Sequence, residues 1–162
     1  MNTDANRSRA IPAILLGGLI AGVCDITYAF IFYYLRNGVG PTRILQSVAS
    51  GALGAQAFTG GAKTAIIGAL FHFFIAICAA GIYYVASRPL GFMINHAVIS
   101  GVLYGVCVYL FMNLVVLKLS ALPRKPTYPW PVLLTGLLIH MFGIGLPIAL
   151  AVRWDSKERA GR

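Results

Sequence analysis

Four strongly polar side chains lie deep within long apolar stretches of the sequence: Asp25, His72, Asn113 and His140. A carboxylate and two imidazoles are groups that exchange protons or bind metal ions inside a membrane. An ionised carboxylate at that depth costs at least about 2.5–3.5 kcal/mol, so we expect Asp25 to be protonated or to pair with a histidine. The pattern predicts a polar cluster of Asp25, His72 and His140, with Asn113 as a secondary intramembrane polar residue.

The elements that must position these groups are four apolar runs. The chain has 162 residues, of which 59% are hydrophobic and only 10% charged, whereas soluble domains average about 25% charged residues. About 20 apolar helical residues cross a bilayer, and the runs at 11–35, 62–86, 92–118 and 129–152 are long enough. The sequence therefore predicts an all-α fold, a polytopic transmembrane four-helix bundle forming a single domain over residues 1–162.

Depth and helix faces indicate which polar groups meet. Because spans 1 and 2 run in opposite directions, Asp25 and His72 fall about 3 Å to the same side of the midplane, with His140 within reach and Asn113 roughly 12 Å away. Small residues share the faces of all four groups and mark close helix contacts, so we expect these groups to point inward. The small residues include Gly18 and Gly22 near Asp25, Gly68 near His72, Gly101 and Gly105 near Asn113, and Gly136 and Gly143 near His140.

Three explanations account for the predicted cluster. The first is structural: a carboxylate–imidazole hydrogen bond between Asp25 and His72 joins two helices. The second is a proton or ion path in a small proton-coupled or ion-conducting transporter. The third is a membrane redox subunit, with a transition metal on Asp25, His72 and His140 or a haem between the two histidines; no HxxxH or ExxH spacing supports it, and no cofactor is predicted. No nucleophile elbow or phosphate-binding loop is present, which favours a non-enzymatic protein.

The segment between the first two spans predicts an additional helix over about residues 42–58. Pro41 and Thr42 resemble a helix start. Apolar and polar residues then alternate with a helical period, which indicates an amphipathic helix that is either interfacial or re-entrant. The predicted apolar face comprises Ile44, Leu45, Val48 and Ala52, and the polar face comprises Arg43, Gln46, Ser47, Ser50 and Gly54.

The formal net charge of +9 predicts contact with phospholipid headgroups. The basic residues lie in the tails and between spans rather than along one helical face, so nucleic acid is not an expected partner. The expected partners are the lipid bilayer and a second copy bound through the glycine-rich helix faces. Seven basic residues lie on the side of the termini and six on the other. Their density near the termini favours a cytoplasmic location for both.

The third loop, "LPRKPTYPWP", contains four prolines and predicts a stiff, extended connector. Trp130 and Trp154 bracket the fourth span roughly 36 Å apart. Tryptophan is enriched at both membrane interfaces, so the pair predicts anchors that fix the depth of this helix.

The stretches "TRILQSVASGALGAQAFTGGAKTAIIGALFHFFIA" and "YGVCVYLFMNLVVLKLSALP" resemble a group of small bacterial inner-membrane proteins whose activity is not established. The resemblance spans most of the chain. It implies a four-helix protein of the bacterial inner membrane and assigns no substrate, cofactor or site residue.

Overall fold

The computed structural model describes residues 3–123 and 129–160, and these residues are almost entirely helical. No β-strand occurs within those two ranges. The helices are α1 (Thr3–Asn37), α2 (Pro41–Leu53), α3 (Gly61–Ser87), α4 (Phe92–Asn95), α5 (Ala97–Phe111), α6 (Leu117–Leu119), α7 (Trp130–Ile139) and α8 (Leu146–Ala160).

Four helical stretches are long and apolar enough to cross a membrane: Ala10–Asn37, Gly61–Ser87, Ala97–Leu119 and Trp130–Glu158, here called spans 1 to 4. They confirm the predicted all-α four-helix architecture. Span 3 begins at Ala97 rather than at 92, because non-helical torsion angles at His96 (φ −111°, ψ 46°) separate it from the short helix α4. Span 4 extends beyond 152 because its helix continues through the polar residues that follow the apolar run.

Spans 3 and 4 each contain a π-helical segment. Residues Met112–Val116 join α5 to α6, and residues His140–Gly145 join α7 to α8. A π turn inserts a residue into the helical repeat and is frequent at functional sites. Both segments contain one of the predicted polar residues, Asn113 in the first and His140 in the second.

Small residues pack inside the bundle and large apolar residues cover its outside. Ala21, Ala80 and Ala97 are fully buried, whereas Leu70 and Phe74 are about two-thirds exposed (66% and 65%). This distribution suits a protein surrounded by lipid, where close helix packing rather than burial of large side chains holds helices together. The main buried cluster includes Ala13, Tyr83, Met93, Ile148 and Val152. It occupies the half of the bundle nearest the termini and leaves the polar cluster toward the other half.

Helix α2 packs against the first part of span 2. The Leu45 carbonyl oxygen lies directly over Gly68, where a side chain would collide with it. This crossing point is seven residues after Gly61, about 10 Å along the axis of span 2. The predicted helix is thus present, although its α-helical part ends at Leu53 and a 3-10 turn continues over Gly54–Phe58.

The buried side of α2 differs from the predicted one. Gln46 and Ser50, assigned to the polar face, are buried, and Ala52, assigned to the apolar face, is exposed. Hydrogen bonds offset the cost of burying these polar side chains. Gln46 Nε2 donates to the Gly61 carbonyl at 3.0 Å, and Ser50 Oγ donates to the Ser47 carbonyl at 2.7 Å. A hydropathy pattern alone predicts that such residues are exposed, because it takes no account of nearby main-chain hydrogen-bond acceptors.

The two ends of span 4 carry the predicted tryptophan pair. Trp130 is 73% exposed and Trp154 is 54% exposed. Their role as membrane anchors stays a prediction. The centre of the predicted stiff connector before span 4, residues 124–128, lies outside the described residues.

Thr64 connects α2, the 3-10 turn and span 2. Its Oγ1 donates to the Ala57 carbonyl at 2.7 Å and accepts from Gln46 Nε2 at 3.4 Å. We expect Thr64→Val to lower the free energy of unfolding by about 1–3 kcal/mol, because the buried Ala57 carbonyl loses its donor. Thermal unfolding in detergent measures the effect. Thr59→Val is the matched control, since Thr59 is exposed and bonds only within its own turn; equal losses in the two variants would contradict this role.

Candidate functional site

Asp25 lies near the middle of span 1 on a partly buried face. The residue before it, Cys24, packs against span 4, where a Cβ built on Gly143 would meet the Cys24 Cβ at 3.3 Å. The residue after it, Ile26, is buried. This contact between Cys24 and Gly143 sets the level at which span 4 passes Asp25, within one helical turn of His140.

His72 is fixed to span 1 through the backbone. Its Nε2 lies 2.9 Å from the carbonyl oxygen of Gly22, one helical turn before Asp25. Because a carbonyl only accepts, Nε2 carries the proton in this bond. One of the three explanations drawn from the sequence was a carboxylate–imidazole hydrogen bond between Asp25 and His72. In the described structure the imidazole joins the two helices by donating to a main-chain oxygen instead.

His140 uses its other ring nitrogen in a similar way. Its Nδ1 donates to the carbonyl oxygen of Gly136, four residues earlier on the same helix, at 2.8 Å. The ring of Tyr109, from span 3, meets the imidazole edge-on with centroids 5.2 Å apart. The glycine at 136 makes this arrangement feasible, because a Cβ there would lie 3.1 Å from the Tyr109 ring.

Asp25, His72 and His140 share one electrostatic neighbourhood. Both Asp25 and His72 lie within electrostatic range of His140. Among the described residues, however, no hydrogen bond and no ion pair within 4.0 Å joins the Asp25 carboxylate to another side chain. The structure therefore places the three predicted residues on spans 1, 2 and 4, with Asp25 and His72 within electrostatic range of His140.

A second polar contact, not predicted from the sequence, lies beside this cluster. The hydroxyl of Tyr28 donates to Thr135 Oγ1 at 2.6 Å, and Thr135 in turn donates to the Pro131 carbonyl at 2.6 Å. Tyr28 also interacts electrostatically with Asp25. The signal was present in the sequence, because Tyr28 follows Asp25 by three residues and shares its helix face.

Asn113 is connected to His140 through Tyr109. Its Nδ2 donates to the carbonyl of Tyr109 at 2.8 Å, four residues earlier. Tyr109 contacts His140, so span 3 reaches the cluster through an aromatic ring rather than through the amide. A secondary role for Asn113 stays a prediction.

Metal binding needs several donor atoms around one point. In the part of the chain that the structure describes, no three His, Cys, Asp or Glu side chains form a group that could hold a metal ion. Cys24, Cys78 and Cys107 have free thiols. A metal site or a haem on Asp25, His72 and His140 was an alternative rather than the prediction from the sequence, and it stays an alternative.

The glycine faces that predicted a homo-oligomer are engaged within the chain. A Cβ on Gly18 would lie 2.7 Å from the Ile77 Cα of span 2, and a Cβ on Gly101 would lie 2.8 Å from the Gly145 carbonyl oxygen of span 4. These glycines serve the packing of one bundle. Association with a second copy stays a prediction that would require other surfaces.

The fold and the four apolar spans together define a multi-pass integral membrane protein. Comparison of the chain with protein-family models, with curated proteins and with solved structures finds no match.

Proposed function

We propose that this protein passes protons across the membrane through Asp25, His72 and His140. The observation that supports the proposal is the position of the Asp25 carboxylate and its lack of a hydrogen-bonded side-chain partner among the described residues. The carboxylate lies at mid-span on a partly buried face, within electrostatic range of His140, and no hydrogen bond joins it to another described side chain. A carboxylate that merely fastened two helices would be paired, because an unpaired charge at this depth is costly.

The two histidines complement the carboxylate. Each uses one ring nitrogen to donate to a main-chain carbonyl, which fixes the ring and leaves its second nitrogen to accept a proton. Asp25 carries a proton in its neutral form and accepts one in its ionised form. The carboxylate and the second ring nitrogen of each imidazole are therefore the groups between which a proton moves.

The wider assignment is a non-enzymatic membrane protein of the bacterial inner membrane. Its bacterial origin rests on the resemblance of two stretches of sequence, one in loop 1 (residues 38–60, between spans 1 and 2) and the start of span 2, and the other in span 3 and the residues that follow it. The cytoplasmic placement of both termini rests on their density of basic residues. A single cysteine introduced in loop 1 and another in the C-terminal tail, in a background lacking the three native thiols, should react from opposite sides of the membrane. Labelling of both from one side would contradict four crossings.

Proton flux tests the role of Asp25. In proteoliposomes loaded with a pH-sensitive dye and driven by a potassium diffusion potential, wild-type protein should accelerate acidification relative to protein-free vesicles. We expect Asp25→Asn to lower that flux at least about tenfold, because an amide side chain neither releases nor accepts a proton near neutral pH. Thr27→Val is the matched control: Thr27 lies two residues from Asp25 and is exposed on the outside of the bundle, so its flux should stay at the wild-type level.

Two results would overturn the proposal. One is wild-type flux equal to that of protein-free vesicles, and the other is equal flux in the wild type and Asp25→Asn. An optical spectrum and elemental analysis of the same purified protein separate the cofactor alternative. A Soret band or a stoichiometric transition metal that is lost when His140 is replaced with alanine would support a redox subunit instead.

A further inference from the structure

A groove opens at the end of the bundle that carries loop 1. Its volume is about 610 Å³, and its walls come from span 1, helix α2, the 3-10 turn and the chain that follows span 3. Tyr33 lies four residues before the end of span 1, about 6 Å along its axis. The groove therefore lies at the level where the apolar spans end and the headgroup region of a bilayer begins. Its principal lining residues are Tyr33, Arg43, Ile44, Ser47, Phe58 and Pro123.

Arg43 supplies a fixed positive charge in this groove. Its guanidinium carbon lies 4.1 Å from the centre of the Phe58 ring, and its Nη1 donates to the Phe58 carbonyl at 3.4 Å. The chain returns Phe58 to this position through Gly54, whose φ of 63° is readily accessible to glycine. Stacking and one hydrogen bond orient the guanidinium and leave its other N–H groups to face a ligand.

The charge around the groove is of one sign. The described segments at this end of the bundle, residues 36–63 and 118–123, contain four basic residues and no acidic residue. By contrast, the sequence segments on the side of the termini combine seven basic with three acidic residues. The loop-1 end therefore attracts anions over a distance comparable to the Debye length. No carboxylate in either loop competes with an anionic ligand for Arg43.

The lining also includes apolar residues. Val39, Ile44 and Leu122 stand beside the cationic and hydroxyl groups. Arginine binds phosphate through paired N–H donors, and apolar walls suit the glycerol and first acyl carbons of a lipid. We propose that this groove binds the phosphate group of an anionic phospholipid, with Arg43 as its principal contact and Ser47 as a second donor.

Lipid binding tests the proposal in the whole purified protein. Native mass spectrometry of the protein in mild detergent would count bound dioleoyl phosphatidylglycerol and, in a parallel titration, dioleoyl phosphatidylcholine. We expect the anionic lipid to bind more tightly, and Arg43→Gln to weaken its binding about tenfold. Arg43→Lys keeps the charge but loses the paired donors, so its affinity for the anionic lipid should fall between those of the wild type and Arg43→Gln. Lys63→Gln is the matched control, because Lys63 is an exposed cation at the same end that does not line the groove.

Each alternative result has a defined meaning. Equal binding of the two lipids, or equal losses in Arg43→Gln and Lys63→Gln, would overturn the proposed site. Displacement of the lipid by millimolar inorganic phosphate would overturn the lipid assignment and make free phosphate the ligand. Arg43 is exposed, so the unfolding temperature of Arg43→Gln without added lipid should match that of the wild type. If the two temperatures differ, the lipid binding of Arg43→Lys tests the site instead.

Discussion

Replacing Gly105 with alanine is expected to lower the free energy of unfolding by about 3 kcal/mol or more. Gly105 is one of the points at which span 3 touches the backbone of span 4. A Cβ there would collide with the His140 carbonyl oxygen and would lie only 2.6 Å from both the His140 carbonyl carbon and the Met141 Cα. Because these are main-chain atoms, no side-chain rotation relieves the collision, and the two helices must separate.

The second contact between these helices makes such separation costly. A Cβ on Gly145 would collide with the Gly101 carbonyl oxygen and would lie 2.5 Å from the Gly105 nitrogen. The two glycine contacts therefore form one continuous backbone interface. A variant that lifts span 4 from Gly105 also moves His140, since its own carbonyl is part of the contact, so Gly105→Ala should reduce proton flux as well as stability.

Unfolding in dodecyl maltoside micelles with increasing sodium dodecyl sulfate, followed by circular dichroism, measures the loss. Gly81→Ala is the matched control. Gly81 also lies within a span, but the nearest atom to a Cβ there is 4.0 Å away. Alanine at that position should leave stability unchanged or raise it by up to about 1 kcal/mol, because alanine is the better helix former. Equal midpoints for Gly105→Ala and Gly81→Ala would contradict the backbone contact.

The number of spans could be predicted because a bilayer imposes a length and an apolar composition on every helix that crosses it. The residues at which the spans begin and end are harder to predict from the sequence. A helix continues past the apolar run as long as the following residues allow it, so span 4 reaches Glu158, and a local break such as the one at His96 leaves little trace in hydropathy. The two π segments likewise depend on how spans 3 and 4 meet, not on either sequence alone.

The residues of the candidate site could be named from the sequence, but their bonding could not. Depth and helix face indicated Asp25, His72 and His140, because each is a side-chain property with a fixed position along a helix. The two histidines bond to main-chain carbonyls of glycine residues, and every residue offers such an acceptor. Which acceptor a histidine meets depends on helix rotation and on the close approach that Gly22 and Gly136 permit.

This difference changes what is expected when the carboxylate is removed. If Asp25 joined spans 1 and 2, Asp25→Leu would lower stability, because an imidazole would lose its partner. In the described structure His72 keeps its bond to the Gly22 carbonyl whatever residue stands at 25. Leucine also removes the cost of about 2.5–3.5 kcal/mol that an ionised carboxylate incurs in the bilayer. We therefore expect Asp25→Leu to leave the free energy of unfolding unchanged or to raise it, while proton flux falls to the level of protein-free vesicles.

His72→Leu provides the opposite case and completes the comparison. It removes a hydrogen bond between two spans, which is worth about 0.6–1.7 kcal/mol inside a membrane, so its stability should fall below that of the wild type. The expected order of unfolding midpoints in the same detergent titration is Asp25→Leu at or above wild type, and wild type above His72→Leu. A midpoint for Asp25→Leu as low as that of His72→Leu would mean that the carboxylate joins the helices, and structural pairing would then replace proton transfer as the reason for its burial. Retained stability with lost flux would separate the two roles, assigning helix attachment to the imidazole and proton exchange to the carboxylate.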